Sequence, residues 1–411
     1  MSDSLGTSRV VAKDANSEKI QLSDDQDLEE FLRSSLPNIY VIGVGGSGGN
    51  SLDRMNRVGI EGTAMIAMNT DAQALLKIKA DKKMLIGKKT TRGLGAGSNP
   101  DVGKGAAEES KEDIKKVLKD ADMVFVTCGL GGGTGTGAIP EVSKIVKENN
   151  ALCIGVVTLP FAVEGKQRIE NALSGLERLR KEVDTLIIIP NDKILEIAPD
   201  LPLQIAFQEV DKILTHSVKG IIELVTRAGI INLDFADLRT ILSNGGLAMI
   251  GVGESTATNR GNNDSRAIEA VEDALTSPLL DIDISNAKKA LVNVIGGADM
   301  TLKEAEVIVE TVASRISQEA HIIWGAMIDD DIPRSAIKVM VVIAGADIPY
   351  LSEINGLTSN STTMIEDKKQ KDEPKDKLFN QAEKVIKNNW FLICFIKSNG
   401  FLKNFNHILF Y

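Results

Sequence analysis

Two apolar runs that each pass straight into a cluster of glycines limit the fold of this chain more than any other feature. Ile39–Val44 leads into Gly43-Val-Gly-Gly-Ser-Gly-Gly-Asn50, and Met123–Thr127 leads into Gly129-Leu-Gly-Gly-Gly-Thr-Gly-Thr-Gly137. Apolar side chains on consecutive positions mark strands buried on both faces. A helical pattern follows each glycine cluster. A strand that turns through glycine into a helix aims backbone N–H groups and the positive helix end at one point. Without Cβ atoms that backbone can approach an anion closely. A third cluster, Gly93-Leu-Gly-Ala-Gly-Ser-Asn99, adds further backbone of the same kind.

More strand-like runs at Ala64–Met68, Leu152–Thr158 and Leu186–Ile189 are separated by helical patterns at Gly105–Leu118, Glu141–Glu148 and Arg168–Lys181. Such alternation predicts a doubly wound parallel sheet, an α/β fold with its ligand at the carboxyl edge of the strands. A long central helix is expected from Leu203 to about Arg227, with Ile205, Val210, Ile213, Leu214, Ile221 and Leu224 on one face and Gly229 as its stop. Beyond it, strands at Leu247–Val252, Leu291–Ile295, Ile322–Ala326 and Ile337–Ile343, with helices at Arg266–Leu275 and Leu302–Ile316, predict a second, smaller α+β domain. The expected organisation is an acidic extension over 1–37 with a short helical pattern at Asp24–Leu32, a nucleotide-binding domain over 38–202, the central helix over 203–229 and the α+β domain over 230–349. Residues 350–411 form the remainder. Their stretch Glu366–Lys377 is too polar to fold, and seven aromatics crowd between Trp390 and Tyr411 in a chain with only eleven Phe, three Tyr and two Trp.

A net charge of -10 argues against general affinity for nucleic acid. Cys128, Cys153 and Cys394 have no metal-ligand or redox spacing and suit a reducing compartment. Neither a signal peptide nor an apolar run of about 18 residues is evident, so a cytosolic chain without a membrane span is expected. Cys128 reads as a small buried filler and Trp324 as core. His216 and His321, in apolar surroundings, read as core or helix-face residues.

Three readings of the glycines compete at this point. They could serve only tight turns. Gly43-x-Gly-x-x-Gly48 with Asp71 also fits a dinucleotide site, but that leaves Gly129–Gly137 without a role. Three anion-binding loops at one edge suit a triphosphate better. An ordinary P-loop is absent, because Gly103-Lys104 is followed by Gly105 rather than Ser or Thr.

Gly131-Gly-Gly-Thr-Gly-Thr-Gly137 resembles the signature of the tubulin/FtsZ superfamily. Gly43–Asn50, Asn69-Thr-Asp-Ala-Gln73, Gly93–Pro100, Pro160-Phe161, Glu164-Gly-Lys-Gln-Arg168, Pro190-Asn-Asp-Lys193 and Asn232-Leu-Asp-Phe-Ala-Asp237 resemble the FtsZ family in particular, in its order, from Asn38 to Ile348. The acidic extension is more similar to archaeal members.

The resemblance implies binding of GTP and GDP with Mg²⁺, GTP hydrolysis, and head-to-tail protofilaments that form a division ring beneath the cytoplasmic face of the membrane. It places phosphates at Gly45, Gly46, Ser47, Gly48, Gly49, Asn50, Gly133, Thr134 and Gly135, and the terminal phosphate near Ala96 and Gly97. Glu164 and Arg168 would lie at the ribose and phosphates, with Asn191, Phe207 and Asp211 around the guanine. Read alone, Arg168, Asn191, Phe207 and Asp211 fit loop, core or solvated-surface roles equally well. Asp234 and Asp237 read alone as first-turn helix residues. The resemblance instead sends Asn232, Asp234 and Asp237 into the nucleotide site of the next subunit as catalytic groups. No residue cluster fixes the Mg²⁺ ligands. Bacterial relatives end in a peptide that docks on membrane-tether proteins, so a tether partner is implied. Asn388–Tyr411 does not resemble that peptide, and reads as a lineage-specific tail or a shifted reading frame.

Overall fold

Strand, glycine turn and helix assemble as the sequence patterning predicts. The computed structural model describes residues 37–345 apart from 198, 199, 201, 228, 256–262, 281, 331 and 334. The Asp24–Leu32 helical pattern, the polar linker and the aromatic tail lie outside the described residues. The strands are β1 (Ile39–Val44), β2 (Thr63–Asn69), β3 (Lys82–Leu85), β4 (Met123–Gly129), β5 (Leu152–Leu159), β6 (Thr185–Pro190), β7 (Gly246–Ser255), β8 (Lys289–Gly296), β9 (His321–Ile328) and β10 (Ile337–Ala344). They form one ten-stranded sheet in the order β3-β2-β1-β4-β5-β6-β7-β10-β8-β9. Pairing is parallel from β3 through β7; β10 then runs antiparallel between β7 and β8, and β9 closes the edge parallel to β8. The two halves expected from the sequence thus share a sheet, joined by the three pairs Thr185↔Gly246, Leu186↔Leu247 and Ile187↔Ala248.

The principal helices are α1 (Gly45–Val58), α2 (Pro100–Glu109), α3 (Thr134–Glu148), α4 (Lys166–Leu179), α5 (Leu203–Thr226), α6 (Phe235–Leu242), α7 (Asn263–Leu275) and α8 (Leu302–Arg315). Helix α5 packs Leu214, Val218, Ile221 and Leu224 into the same core cluster as Val41 of β1 and Leu291 of β8. Its face therefore spans both halves of the sheet.

Several boundaries differ from the sequence pattern, for identifiable reasons. The glycines after β1 are the first turn of α1 rather than a loop ahead of it, their low helix propensity overridden by packing, whereas those after β4 form a short turn through Gly133 and α3 begins at Thr134. The single helix expected at Gly105–Leu118 is broken at Ser110, whose Oγ accepts from the Gly87 N–H at 3.0 Å, and resumes as Lys111–Val117. Helix α5 ends at Thr226 with Arg227 as its cap, as expected, and Gly229 is not itself the cap. Gly229 instead lets the chain pass β9, since a Cβ there would lie 2.6 Å from the Ala326 carbonyl oxygen. Strand β3 was not legible because it is a four-residue edge strand that begins with two exposed lysines. Cys128 is buried, and burial pushes its thiol pKa up. His216 is exposed on α5. His321 is exposed at the start of β9 and Trp324 only half-buried there, because β9 is the sheet edge; neither is core.

The second half is pinned by a buried ion pair. Arg266 of α7 donates from Nε to Glu304 Oε1 at 2.5 Å and from Nη2 to Oε2 at 3.0 Å, and its Nη1 reaches Asp299 Oδ2 at 3.1 Å. Glu304, fully buried, also closes a capping box with Thr301 at the start of α8. Burial alone would raise its pKa. The Arg266 guanidinium and the Thr301 N–H and hydroxyl outweigh that and hold the carboxyl below its ordinary value. A depressed carboxyl stabilises the fold fully above its unfolded pKa, and loses that contribution as pH falls through the folded value. Glu304→Gln should therefore cost stability at neutral pH, toward the lower end of the ~3–5 kcal/mol for breaking a buried pair, because Asp299 still meets Arg266. Urea unfolding at pH 7 tests this, and a loss under ~1 kcal/mol would contradict it.

Candidate nucleotide-binding site

The carboxyl ends of β1, β4, β5 and β6 open into a cavity of about 460 Å³. Its floor is the start of α1 and α3. Gly45 has φ +77°, a conformation that L side chains rarely adopt, and a Cβ on it would lie 2.9 Å from the Gly135 nitrogen. The two glycine clusters are thus in direct contact. The third cluster closes on them: a Cβ on Gly133 would lie 2.7 Å from the Asn99 nitrogen and 2.9 Å from the Ala96 Cβ. By contrast, a Cβ on Gly46 or Gly132 would meet nothing within 4 Å and would take up room in the cavity these residues line. The Thr134 hydroxyl meets that of Thr70 at 2.6 Å, which ties the Asn69–Gln73 segment to the cradle.

The far end of the cavity has different chemistry. Phe207 of α5 meets Phe161 edge-to-face, with centroids 5.0 Å apart and planes at 87°, yet remains 39% exposed. That is a shelf on which a planar ring can lie. Asn191, at the end of β6, is buried, and its Oδ1 has no hydrogen-bond partner among the described residues. A buried polar atom left unpaired costs stability unless a ligand donor meets it. Asp211 accepts from Ser51 Oγ at 2.7 Å. Burial raises the Asp211 pKa, opposed by the Ser51 hydrogen bond and the charge of Arg54, and the carboxyl stays above its ordinary value. At the rim, Glu164 accepts from the Phe161 N–H at 2.9 Å and pairs with Arg168.

Of the residues expected at the site, Gly46, Ser47, Asn50, Gly133, Thr134, Gly135, Glu164, Arg168, Asn191, Phe207 and Asp211 line this one cavity. Gly45, Gly48, Gly49, Ala96 and Gly97 do not. Gly48 and Gly49 face the protein: Cβ atoms there would lie 2.5 Å from the Thr127 carbonyl oxygen and 3.1 Å from the Ile78 side chain. Ala96 is buried behind Gly133, and Gly97 is exposed. Thr158, Pro160 and Val210 line the cavity and were missed. Thr158 had a readable signal, as the hydroxyl near the carboxyl end of an otherwise apolar strand. Asp71, the ribose ligand of the dinucleotide reading, is spent as a helix cap, accepting from the Ala74 N–H at 3.0 Å. A larger surface groove of about 730 Å³ lies along β3 among lysines and contains none of the expected site residues.

Asn232, Asp234 and Asp237 lie elsewhere. Asp234 is the N-cap of α6, its Oδ1 accepting from the Asp237 N–H at 2.7 Å, and Asn232 Oδ1 accepts from the Gly229 N–H. The Asp237 carboxylate is exposed, with no hydrogen bond or ion pair among the described residues. The loop belongs to the amino edge of the parallel strands. Thr226, the last residue of α5, packs where a Cβ on Gly62, just before β2, would lie, and Arg239 of α6 donates to the Asn150 carbonyl just before β5 at 3.2 Å. Along α5, Asp211 and Thr226 are fifteen residues apart, about 22 Å of helix.

Known proteins place this arrangement. Residues 38–199 match the model of the Tubulin/FtsZ family GTPase domain, and residues 246–347 match that of the FtsZ family C-terminal domain. The chain is 52% identical to cell division protein FtsZ 1 of Thermococcus kodakarensis over 344 residues, 84% of this chain and 90% of that protein. It is also 52% identical to FtsZ 1 of Methanocaldococcus jannaschii over 328 residues, 80% and 88% of the two chains. Among solved structures, an empty FtsZ dimer from M. jannaschii superposes with a TM-score of 0.74 at 53% identity, covering 78% of this chain and 92% of that one. A GTPγS-bound CetZ2 protofilament from Haloferax volcanii, at 20% identity and a TM-score of 0.68, shares the fold. The glycine cradle, the shared sheet and the matched segments agree, and the chain belongs to the FtsZ family of cell-division proteins, GTPases related to tubulin.

Proposed function

We propose that this GTPase works as a head-to-tail polymer, each pocket completed by the Asn232–Asp237 loop of the next subunit. The observation that carries this reading is that, among the described residues, the phosphate end of the pocket has no carboxylate free to act on water. Of its two acidic lining residues, Asp211 lies at the base end beside Phe207 and Asn191, and Glu164 at the rim is paired with Arg168. An unpaired carboxylate, Asp237, stands instead at the opposite edge of the parallel strands, where its own pocket is out of reach. Exposed apolar side chains support contact at both places, with Leu94 and Val163 beside the pocket and Ile230 beside the loop.

In this reading Gly46, Ser47, Asn50 and Gly133 to Gly135 hold the phosphates, with Ala96 and Gly97 behind and beside the terminal one. Glu164 and Arg168 meet the ribose and phosphates. Phe207 supports the guanine, Asn191 Oδ1 accepts one of its N–H groups, and Asp211 accepts the N1–H and 2-amino pair that adenine lacks. Among the described residues no group of three or more His, Cys, Asp or Glu could hold a metal ion. In this reading Mg²⁺ would enter on the nucleotide, bound mainly by phosphate oxygens and water. Asn232, Asp234 and Asp237 position the attacking water. The segment 38–202 works as the nucleotide-binding domain and 230–349 as the domain that presents the catalytic loop, joined by the central helix. Assembly takes place in the cytoplasm at the division site. No helix among the described residues is long and apolar enough to cross a membrane. In this reading a tethering protein held by the C-terminal tail provides attachment there.

Phosphate release per chain should rise steeply with protein concentration and vanish below a threshold. Constant specific activity down to nanomolar protein would contradict the shared site.

A further inference from the structure

We propose that Ser51 is a positioning residue for base recognition, holding Asp211 so that a helix which cradles phosphate also sets the choice of guanine. Ser51 is 1% exposed, one turn beyond the phosphate-cradle residue Ser47 on α1. Its hydroxyl has two acceptors in reach, Asp211 Oδ1 at 2.7 Å and the Ser47 carbonyl at 3.2 Å. The shorter contact goes to the charged oxygen, the stronger kind of hydrogen bond. Another buried helical serine shows the ordinary alternative. Ser143 of α3 donates back to the Ile139 carbonyl of its own helix at 2.8 Å. Ser51 has that option, at a worse distance, and bonds across 160 residues instead.

Asp211 is held from both sides. Its backbone is fixed within α5, where Thr215 Oγ1 donates back to its main-chain carbonyl at 2.7 Å. Ser51 then fixes the carboxylate relative to α1. Each carboxylate oxygen has two lone pairs, so Oδ1 can accept from Ser51 and still face a ligand donor. With its plane fixed and its charge retained, the group presents two parallel acceptors to two parallel guanine donors. Without Ser51 the carboxylate can rotate about its last bond, and the paired geometry is lost even though the charge remains. Arg54, on the same face of α1, adds favourable charge but makes no hydrogen bond to it.

This inference rests on the guanine reading of Asp211, and the test separates the two. Equilibrium affinities for GTP and for ITP, which lacks the 2-amino group, are measured on the nucleotide-stripped full chain below its assembly threshold. The proteins are wild type, Ser51→Ala, Asp211→Asn and the double variant. Ser51→Ala should lower the GTP/ITP preference about tenfold, as expected for a hydrogen bond to a charged group. In the Asp211→Asn background the same substitution should change the preference little, because two residues acting through one contact are not additive. A Ser51→Ala preference equal to wild type, with Asp211→Asn impaired, would leave Ser51 a packing residue and overturn the proposal. A full Ser51 effect that persists without the Asp211 carboxylate would overturn it as well. An unchanged preference in Asp211→Asn would remove Asp211 from base recognition and sink both readings together.

Discussion

Replacing Asp237 with alanine is expected to leave GTP binding and assembly intact while slowing hydrolysis by about 10²–10⁴, the usual cost of losing a positioned general base or water-orienting group. The structure separates this effect from stability. The Asp237 carboxylate caps nothing, whereas Asp234 receives the Asp237 N–H at the start of α6. Asp234→Ala should therefore lose about 0.5–2 kcal/mol of stability as a cap, and Asp237→Ala little. Filaments of the Asp237 variant should outlast those of wild type after addition of a fixed amount of GTP. Sedimentation gives the polymer and phosphate release gives the rate. Wild-type turnover by Asp237→Ala filaments would place the catalytic group elsewhere.

Gly135→Val should abolish nucleotide binding, the second large effect. A Cβ on Gly135 would already lie 3.0 Å from the Gly129 carbonyl oxygen, 3.2 Å from the Cys128 Cβ and 3.3 Å from the Val44 carbonyl oxygen. All three surroundings are backbone or buried side chain, so a branched side chain must displace the cradle rather than be absorbed. Titration with a fluorescent GTP analogue reads the loss, and far-UV circular dichroism checks that the fold survives. Binding at wild-type affinity would remove this turn from the site. The two variants also complement each other. The Gly135 chain lacks nucleotide but keeps its acidic loop, and the Asp237→Ala chain keeps nucleotide but lacks the carboxylate. Once sedimentation shows copolymer, phosphate release by the mixture above either variant alone is the expected result. No recovery in verified copolymer would mean that the loop does not serve a neighbour.

The parallel half of the sheet was legible because its strands are buried on both faces and its turns are made of glycine, and both signals are local. Its continuation into the second half was not legible. The pairing of β6 with β7 joins residues 61 apart through three pairs, and no periodicity marks a partner strand. The break at Ser110 coincides with a hydrogen bond from Gly87, a contact distant in sequence. At the site, residue types were readable and directions were not. Gly46 and Gly48 are indistinguishable in the sequence, yet a side chain at the first would enter the cavity and at the second would strike β4. Read alone, Asp234 and Asp237 fitted helix capping equally well. In the folded chain Asp234 is occupied as a cap, and Asp237 has no partner among the described residues.

Pocket and acidic loop stand at opposite edges of the parallel strands, so the proposed contact between them is heterologous, and it builds an open row wherever its rotation does not close a ring. In the proposed polymer, n subunits in a single open row contain n − 1 finished sites. A dimer has one, and half of its bound nucleotide has no catalyst. Every row, however long, carries one terminal pocket that no loop has entered, and the nucleotide there is the last to be hydrolysed. The two ends of the row are chemically different objects, one with an unserved pocket and the other with an idle loop. A row of identical chains therefore has a direction, and a place where new GTP persists, without any second protein to supply either.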